Sequence, residues 1–359
     1  MVMKRRFYLF GLFFLAIACP PFSLTVAADD NLAGCAAIRG DAERVKIYDI
    51  LARQNAMPPE GVVAEANPVA AEEKPLQESA TVSIFSRHWE LDGGKSRHAF
   101  FLLTPYRPNY FLPIAYNSSP NESNALDVDP DAKAQRSEAK FQLSFKIKPW
   151  RMDIEGWDFL KGIDLWIAYT QLSYWQLYNS AFSSPFRDTN YEPEALVNFR
   201  TDIEIPGIDG LKLRFVTMGL NHQSNGRSSP LSRSWNRIVV NAGLEKGNFN
   251  ALLRTWHRIP DGESKNDNPG ITKYMGYGEL WFAYYWKSNR FSVMLRNNLR
   301  SENKGAVQLD WSIPLSLFWD KLDILSVYFQ YFNGYGESLI DYNASVNRVS
   351  AGFMLVDWK

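Results

Sequence analysis

The chain has 359 residues, of which 46% are hydrophobic and 14% aromatic, and its 39 basic residues balance 39 acidic residues. A zero formal charge excludes a basic nucleic-acid-binding chain and an acidic tail protein, and the apolar content excludes disorder. After the N-terminus no stretch of about 18 apolar residues occurs without charges, which excludes a bundle of membrane helices. The 12 Trp, 17 Tyr and 23 Phe residues fit a sheet with one face in lipid.

The N-terminus has the pattern of a secretory signal. Basic residues precede the apolar residues 7–18, and a small-residue cleavage site ends at Ala28. We therefore expect residues 1–28 to be a cleaved signal peptide. An uncleaved membrane anchor and lipidation at Cys19 are the alternatives. Cleavage would leave Cys35 as the single cysteine of the mature chain, so no intrachain disulfide can form.

Residues 29–95 differ in composition from the rest of the chain. Residues 37–55 favour a short helix, and residues 57–79 are rich in Pro, Ala and Glu, as is typical of a linker. No motif with catalytic chemistry occurs in this segment. The sequence predicts an N-terminal periplasmic extension over residues 29–95 and the main domain over residues 96–359.

Alternation with a period of two residues is the dominant signal after about Tyr106. In residues 139–147, Ala, Phe, Leu, Phe and Ile alternate with Lys, Gln, Ser and Lys, and residues 291–299, 307–315 and 349–355 alternate similarly. Each segment therefore has one apolar face and one mostly polar face, as in a half-buried strand. A β-sandwich alternates in the same way, so the alternation alone does not decide the fold.

Three further features favour a membrane barrel. The segments are about 9 to 11 residues long, which is enough to cross a bilayer at a tilt. Aromatic residues gather at the segment ends, as in an interfacial girdle, and the export signal provides a route to an outer membrane. The candidate strands begin near Asn109, Ala139, Ile163, Glu194, Leu211, Trp235, Phe249, Gly276, Phe291, Ala306, Leu322 and Asn347. The predicted fold class is therefore all-β: a twelve-stranded antiparallel transmembrane β-barrel of the bacterial outer membrane.

The most informative chemistry lies in residues 220–237. His222 and Ser224 are two residues apart, so they share one face of a strand, and that face is otherwise apolar. Asn236 lies on the mostly apolar face of the next strand. All three side chains would face lipid at the outer rim, where polar groups are costly and usually functional.

These three residue types suit nucleophilic catalysis. A Ser beside a His is a candidate nucleophile and general base. An Asn can hold the imidazole in the required tautomer through its side-chain carbonyl, and a neutral amide costs less than a carboxylate near lipid. The alternative is an interfacial His and Ser that only bind lipid headgroups or each other.

The surrounding sequence closely resembles the outer-membrane phospholipase A family. The resemblance covers roughly residues 100–359, and four ordered segments carry it: residues 183–193 (SSPFRDTNYEP), 221–237 (NHQSNGRSSPLSRSWNR), 267–277 (DNPGITKYMGY) and 334–343 (GYGESLIDYN). It implies hydrolysis of the acyl esters of phospholipids and lysophospholipids, with A1 and A2 activity. It also implies that Ser224 is the nucleophile, His222 the base and Asn236 the residue that orients the base.

The same resemblance implies dependence on Ca²⁺. In the family, calcium is held by the backbone carbonyl at the position of Arg227 and by the hydroxyl at that of Ser232, joined in the active dimer by Ser183 of the partner subunit. Such oxygen ligands suit calcium, and a calcium-bound water would help to stabilise the oxyanion. One departure concerns a second calcium site. Ser229 stands where the family often has Asp, although Asp267 matches the other acid of that site.

The strand that begins near Ile163 carries a dimerisation signal. Gln171 lies on its apolar face, and an amide facing hydrocarbon should seek a polar partner. The resemblance makes Gln171 a dimer-interface residue, with Tyr169 and Trp175 around it; contact with headgroups at the rim is the alternative. We expect an active homodimer and an inactive monomer, because an isolated barrel would lack half of the calcium site.

Two function classes compete at this point. A passive barrel or pore without turnover would need no Ser-His-Asn set on its lipid face, so we favour a calcium-dependent outer-membrane phospholipase. A soluble serine hydrolase is disfavoured because no GxSxG motif occurs in a strand-turn-helix context. The expected partners are phospholipid, the outer membrane and a second copy of the chain, without nucleic acid.

Overall fold

The described part of the chain begins just before the predicted barrel. In the computed structural model, the structure describes residues 84–92, 100–121, 135–180, 185–262, 266–319 and 321–355. All of them belong to the unit Leu76–Lys359. The predicted signal peptide, most of the predicted extension, Cys19, Cys35 and Ser183 lie outside the described residues.

The described residues consist almost entirely of strands. Two short helices occur, α1 (Ile84–Trp89) and α2 (Ile271–Met275), together with a 3-10 turn (Leu315–Leu317). The strands are β1 (Thr104–Pro105), β2 (Tyr110–Asn117), β3 (Ser137–Asp153), β4 (Leu160–Trp175), β5 (Phe186–Glu204), β6 (Lys212–Ser224), β7 (Ser234–Lys246), β8 (Phe249–Ile259), β9 (Gly278–Trp286), β10 (Asn289–Asn297), β11 (Gly305–Pro314), β12 (Leu325–Tyr335) and β13 (Ser345–Leu355).

Strand pairing closes the sheet into a barrel. Consecutive strands from β2 to β13 pair antiparallel, and β13 returns to pair with β2. The predicted twelve-stranded antiparallel barrel is therefore confirmed. One additional short strand, β1, pairs with β3 in line with β2. The residues that connect β1 to β2 include Pro108. Proline supplies no backbone N–H to the ladder, so the first wall of the barrel is split into two pieces.

The barrel has a polar interior and an apolar exterior. Alternate residues on the outside, such as Leu220 and Val349, are 60% and 59% exposed, whereas the inward Lys140 and Arg348 are 2% exposed. This alternation is the one expected when lipid surrounds a closed sheet. Within the described residues, no helix is long and apolar enough to cross a bilayer.

Ion pairs fill the lumen. Arg348 contacts Glu337 and Glu138, each at 2.8 Å, and Lys140 Nζ donates to Glu337 at 2.9 Å. A cavity of about 270 Å³ remains between the inward side chains. The interior is therefore packed with paired charges, in keeping with the modest space that a barrel of twelve strands encloses.

Segments outside the strands close both ends of the lumen. At the end where β2 begins, the Trp89 ring of α1 packs against Trp166 and Phe215, with ring centroids 5.8 and 4.9 Å away. At the other end, residues 336–344 fold inward, and the Leu339 N–H donates to Asn190 Oδ1 at 3.0 Å. Helix α1 lies on the extension side of the predicted domain boundary and packs against the inner wall of the barrel.

Candidate active site

The β6–β7 hairpin sets the positions of the predicted catalytic residues. In its register His222 is directly opposite Asn236, and Ser224 is opposite Ser234. Directly opposed residues on one face have Cβ atoms about 5 Å apart. His222 is exposed and Ser224 and Asn236 are partly exposed, whereas Trp235, which precedes Asn236 in sequence, is buried. The three side chains thus share the outer face of the barrel.

A hydrogen bond joins the predicted base to its predicted orienting residue. His222 Nδ1 lies 2.8 Å from Asn236 Oδ1. An amide oxygen accepts, so this contact favours the tautomer in which Nδ1 carries the proton and Nε2 keeps its lone pair. The imidazole therefore has a free basic nitrogen on the outer face, on the strand that carries Ser224.

Residues 225–233, the loop of this hairpin, are organised by Asn225, a role that no spacing in the sequence predicts. Its Nδ2 donates to the Leu231 carbonyl at 2.9 Å, and its Oδ1 accepts the Arg233 N–H at 2.9 Å. Gly226 follows with φ +64°, and a Cβ there would lie 3.1 Å from the Tyr191 ring. The loop therefore turns tightly against β5 directly after Ser224.

The predicted calcium ligands lie in this loop and beside it. Ser232 Oγ donates to Asp267 Oδ2 at 2.5 Å, so a hydroxyl and a carboxylate converge there. The Arg227 guanidinium donates to the carbonyls of Phe186 and Arg187 at 2.8 and 2.7 Å, which ties the loop to the start of β5. Ser183 is not among the described residues.

The donor set of this region fits a weakly held calcium ion. Ser232 and Asp267 present only oxygen, which is the ligand type that calcium prefers. No cluster of three or more His, Cys, Asp or Glu side chains occurs among the described residues. The described residues of one subunit therefore offer few charged ligands, and further oxygen ligands, such as backbone carbonyls, would have to complete the coordination.

The predicted dimer residues lie on the same outer face, two strands from the nucleophile. Gln171 pairs with Tyr191 across β4 and β5, and Tyr191 pairs with Ser224 across β5 and β6. Neighbouring strands are about 4.8 Å apart, so Gln171 is on the order of 10 Å from Ser224. Tyr169 O–H donates to Gln171 Oε1 at 3.3 Å, and Trp175 stacks on Phe186 with ring centroids 5.5 Å apart.

One contact of this site was missed by sequence reasoning altogether. Asn236 Nδ2 donates to Asp261 Oδ1 at 3.5 Å, and Asp261 Oδ2 accepts from Arg258 Nη2 at 3.0 Å. Asp261 follows the end of β8, whose Ile259 is opposite Asn236. The register of β7 with β8 is needed to find this contact, and no local motif signals it.

Comparison with known proteins adds independent evidence. The family model for phospholipase A1 matches residues 85–355. Phospholipase A1 from Klebsiella pneumoniae is 41% identical over 257 residues, covering 72% of this chain and 83% of that protein. The corresponding Escherichia coli K12 protein is 40% identical, with 72% and 82% covered.

Solved structures of outer membrane phospholipases also match this chain. Outer membrane phospholipase A from Escherichia coli matches with a TM-score of 0.63 at 40% identity, covering 72% of this chain and 99% of that one. The Salmonella typhi outer membrane phospholipase dimer with bound calcium matches with a TM-score of 0.64 at 37% identity, covering 77% and 98%. The family match over most of the barrel and these close relatives show that the chain belongs to the phospholipase A1 family of outer-membrane enzymes.

Proposed function

We propose that this outer-membrane phospholipase hydrolyses the acyl esters of phospholipids and lysophospholipids with a Ser224-His222-Asn236 triad on its outer face. The observation that carries this proposal is the 2.8 Å contact between His222 Nδ1 and Asn236 Oδ1. It lies on the lipid-facing side of the strand that presents Ser224. A lipid ester in the outer leaflet would reach this face without leaving the membrane.

The chemistry follows from the tautomer of the imidazole. His222 Nε2 accepts the hydroxyl proton of Ser224 as the Ser224 oxygen attacks the acyl carbonyl. The imidazolium that forms donates from Nδ1 to Asn236 and returns the other proton to the leaving alkoxide of the glycerol backbone. Water, deprotonated by the same nitrogen, then releases the fatty acid from the acyl-enzyme.

The developing oxyanion needs positive partial charge beside Ser224. The Ser224 backbone N–H is one available donor. Calcium would be held by the Arg227 carbonyl and the Ser232 hydroxyl, and it would supply electrostatic stabilisation of the oxyanion through a bound water. The oxygen-only donor set around Ser232 and Asp267 supports this assignment, and the Salmonella typhi relative supports calcium as the ion.

Dimerisation would complete the site. We infer that Gln171, Tyr169 and Trp175 form the interface, and that Ser183 of the partner subunit joins the calcium ligands. The short path from Gln171 through Tyr191 to Ser224 along the sheet supports an interface beside the nucleophile. A monomer would then be inactive because it lacks part of the calcium site, so association would control activity.

Export and orientation follow the same proposal. Residues 1–28 would be cleaved during export, and residues 29–95 would remain periplasmic. With an even number of antiparallel strands, the start of β2 and the end of β13 lie at one rim, and the loop after Ser224 lies at the other. If residues 29–95 are periplasmic, the rim at which β2 begins is the periplasmic one. The loop after Ser224 then lies at the opposite rim, near the outer leaflet.

The first prediction tests the nucleophile. Ser224→Ala should abolish calcium-dependent fatty-acid release from phospholipid micelles while the heat-modifiable gel migration of the folded barrel persists. Chelator should stop hydrolysis by the parent protein, and a reactive sulfonyl fluoride should label Ser224 there and nowhere in the variant. Activity that survives Ser224→Ala, or labelling at another residue, would remove Ser224 from this role.

A further inference from the structure

The orienting Asn236 is itself held by a charged residue. Its Oδ1 lies 2.8 Å from His222 Nδ1, and its Nδ2 donates to Asp261 Oδ1 at 3.5 Å. The second distance is longer than the roughly 2.7–3.2 Å usual for an N–H···O hydrogen bond, so this contact is a weak one. Such bonds at active sites are often long before substrate binds and shorten in the reacting complex. Both ends of the amide are therefore in contact with a specific partner.

This second contact removes an ambiguity that an isolated Asn cannot resolve. A half-turn about the last side-chain bond exchanges Oδ1 and Nδ2, and the flipped amide would present a donor to His222 Nδ1. His222 would then have to protonate Nε2, which is the nitrogen that a base must keep free. An ionised carboxylate only accepts, so Asp261 favours the orientation in which Nδ2 faces it and Oδ1 faces the imidazole.

Asp261 is well fixed for this task. Its side chain is 17% exposed and forms an ion pair with Arg258, whose side chain is 12% exposed. Arg258 also donates to the Asn268 carbonyl at 2.9 Å and to Asn266 Oδ1 at 2.7 Å. These bonds fix the Arg258 guanidinium and, through the ion pair, Asp261, whose Oδ1 is left directed at Asn236.

The charge of Asp261 has a second consequence. A triad that uses Asn as its third member has no carboxylate in contact with the imidazole, so the imidazolium formed during reaction lacks the usual anionic neighbour. Asp261 supplies a negative charge that is separated from the imidazole by the side-chain amide of Asn236. Polarisation along the chain from Asp261 through Asn236 to His222 favours the protonated base in the transition state.

We propose that Asp261 is a positioning residue of this enzyme, which fixes the amide orientation of Asn236 and thereby the reactive tautomer of His222. The proposal rests on the proposed Ser-His-Asn function. It adds a fourth member, Asp261, that acts through Asn236 and contacts neither substrate nor nucleophile.

A double-mutant cycle tests the coupling. Asp261→Ala, Asn236→Ala and the double variant would be assayed as calcium-saturated, detergent-solubilised protein on phospholipid mixed micelles. Because the contact is long and acts on the imidazole only through Asn236, we expect Asp261→Ala to lower kcat about fivefold to tenfold with KM unchanged. In the Asn236→Ala background the same change should alter kcat less than about twofold. Glu302→Ala, in an exposed loop at the same end of the barrel, is the matched control.

Two further variants separate orientation from charge. Asp261→Asn keeps an acceptor at this position. The new amide and that of Asn236 can both flip and still form a hydrogen bond, so the orientation of Asn236 is no longer fixed and the variant should behave like Asp261→Ala. Asp261→Glu keeps the carboxylate, and it should recover most of the lost kcat. Equal kcat values for Asp261→Asn and the parent protein would contradict the orientation argument.

A calcium titration separates this role from an effect on the calcium loop, since Asp267 lies six residues further along the chain. The half-activating calcium concentration should be the same for Asp261→Ala and the parent protein. A higher calcium requirement with full kcat at saturation, additive effects with Asn236→Ala, or an unchanged kcat would each overturn the proposal. Activity surviving Ser224→Ala would instead overturn the proposed function itself, so the two failures are distinguishable.

Discussion

The proposed role of His222 as a base depends on its cross-strand neighbours more than on its neighbours in sequence. In a strand, the residues beside it in the chain point into the lumen, and the nearest residues on its own face of β6 are Leu220 and Ser224. The contact that holds its tautomer comes from Asn236 on the next strand, 2.8 Å away. The hairpin register that pairs His222 with Asn236 is therefore a requirement of the proposed chemistry.

The second prediction compares these two residues. His222→Ala should lower kcat by about 10²- to 10⁴-fold, because proton transfer by the base is lost. Asn236→Ala should lower kcat by a smaller factor, because the imidazole remains and only its orientation and tautomer are less well held. The measurement is kcat for both variants at saturating calcium. Equal or reversed losses would show that Asn236 does more than orient His222.

Residue spacing predicted part of this arrangement and missed the rest for a physical reason. Strand parity assigns His222 and Ser224 to the apolar outer face, and the structure has both there. Asp261 and Asn225 act through contacts set by strand register and loop conformation, and such contacts have no fixed spacing in the sequence. The resemblance to a known family, carried by its four segments, supplied the roles that spacing alone left open.

At the scale of elements, β4, β5 and β6 together carry the proposed dimer contact and the proposed nucleophile. The outer face of the wall that they form carries Gln171, then Tyr191, then Ser224 on successive strands. In hydrocarbon there is no general hydrophobic drive to bring two barrels together, so close packing and polar pairing must supply it. Gln171 already bonds Tyr169 and Ser173 within its own strand. Its amide retains one donor hydrogen and one lone pair for a symmetric partner.

The third prediction concerns this wall. Gln171→Leu should weaken the dimer without unfolding the barrel, because reciprocal amide bonds worth about 1 kcal/mol each are lost and leucine is well accommodated by lipid. Activity should fall and the calcium requirement should rise together, since the shared site is separated. Crosslinking yield and a calcium titration of hydrolysis measure both effects, with Ile167→Leu on the same face as the control. If the crosslinking yield falls while the calcium requirement and the activity stay unchanged, the proposal of a calcium site shared between subunits is wrong.

At the scale of the whole barrel, charged side chains of the strands form buried ion pairs in the lumen. Twelve strands could be counted from alternation and aromatic ends, because a closed sheet between lipid and a polar lumen imposes a strict two-residue pattern. The inward packing of α1 could not be predicted this way, because its aromatic contacts come from several strands at once. The ion pairs among Glu138, Lys140, Glu337 and Arg348 join β3, β13 and the loop of residues 336–344.

Glu337 is the anionic centre of this network, at the end of the lumen that residues 336–344 cover. Its side chain is 3% exposed. Burial alone would raise the pKa of the Glu337 carboxyl, but the charges of Arg348 and Lys140 and their hydrogen bonds outweigh burial and lower the pKa to about 2. A carboxylate whose pKa is lower in the folded than in the unfolded chain stabilises the fold above its unfolded pKa of about 4.3, and this stability is lost as the pH falls further.

The fourth prediction follows from that sign. Glu337→Gln should lower the free energy of unfolding at pH 7 by about 3 kcal/mol, because Arg348 and Lys140 lose a buried counter-charge. The difference from the parent barrel should shrink as the pH falls from about 4 to about 2, where Glu337 itself becomes protonated. Guanidinium unfolding midpoints in detergent micelles across this range measure it, with the exposed Glu302→Gln as control. A stability difference that stays constant down to pH 2 would show that packing, and not the charge of Glu337, holds this end of the barrel together.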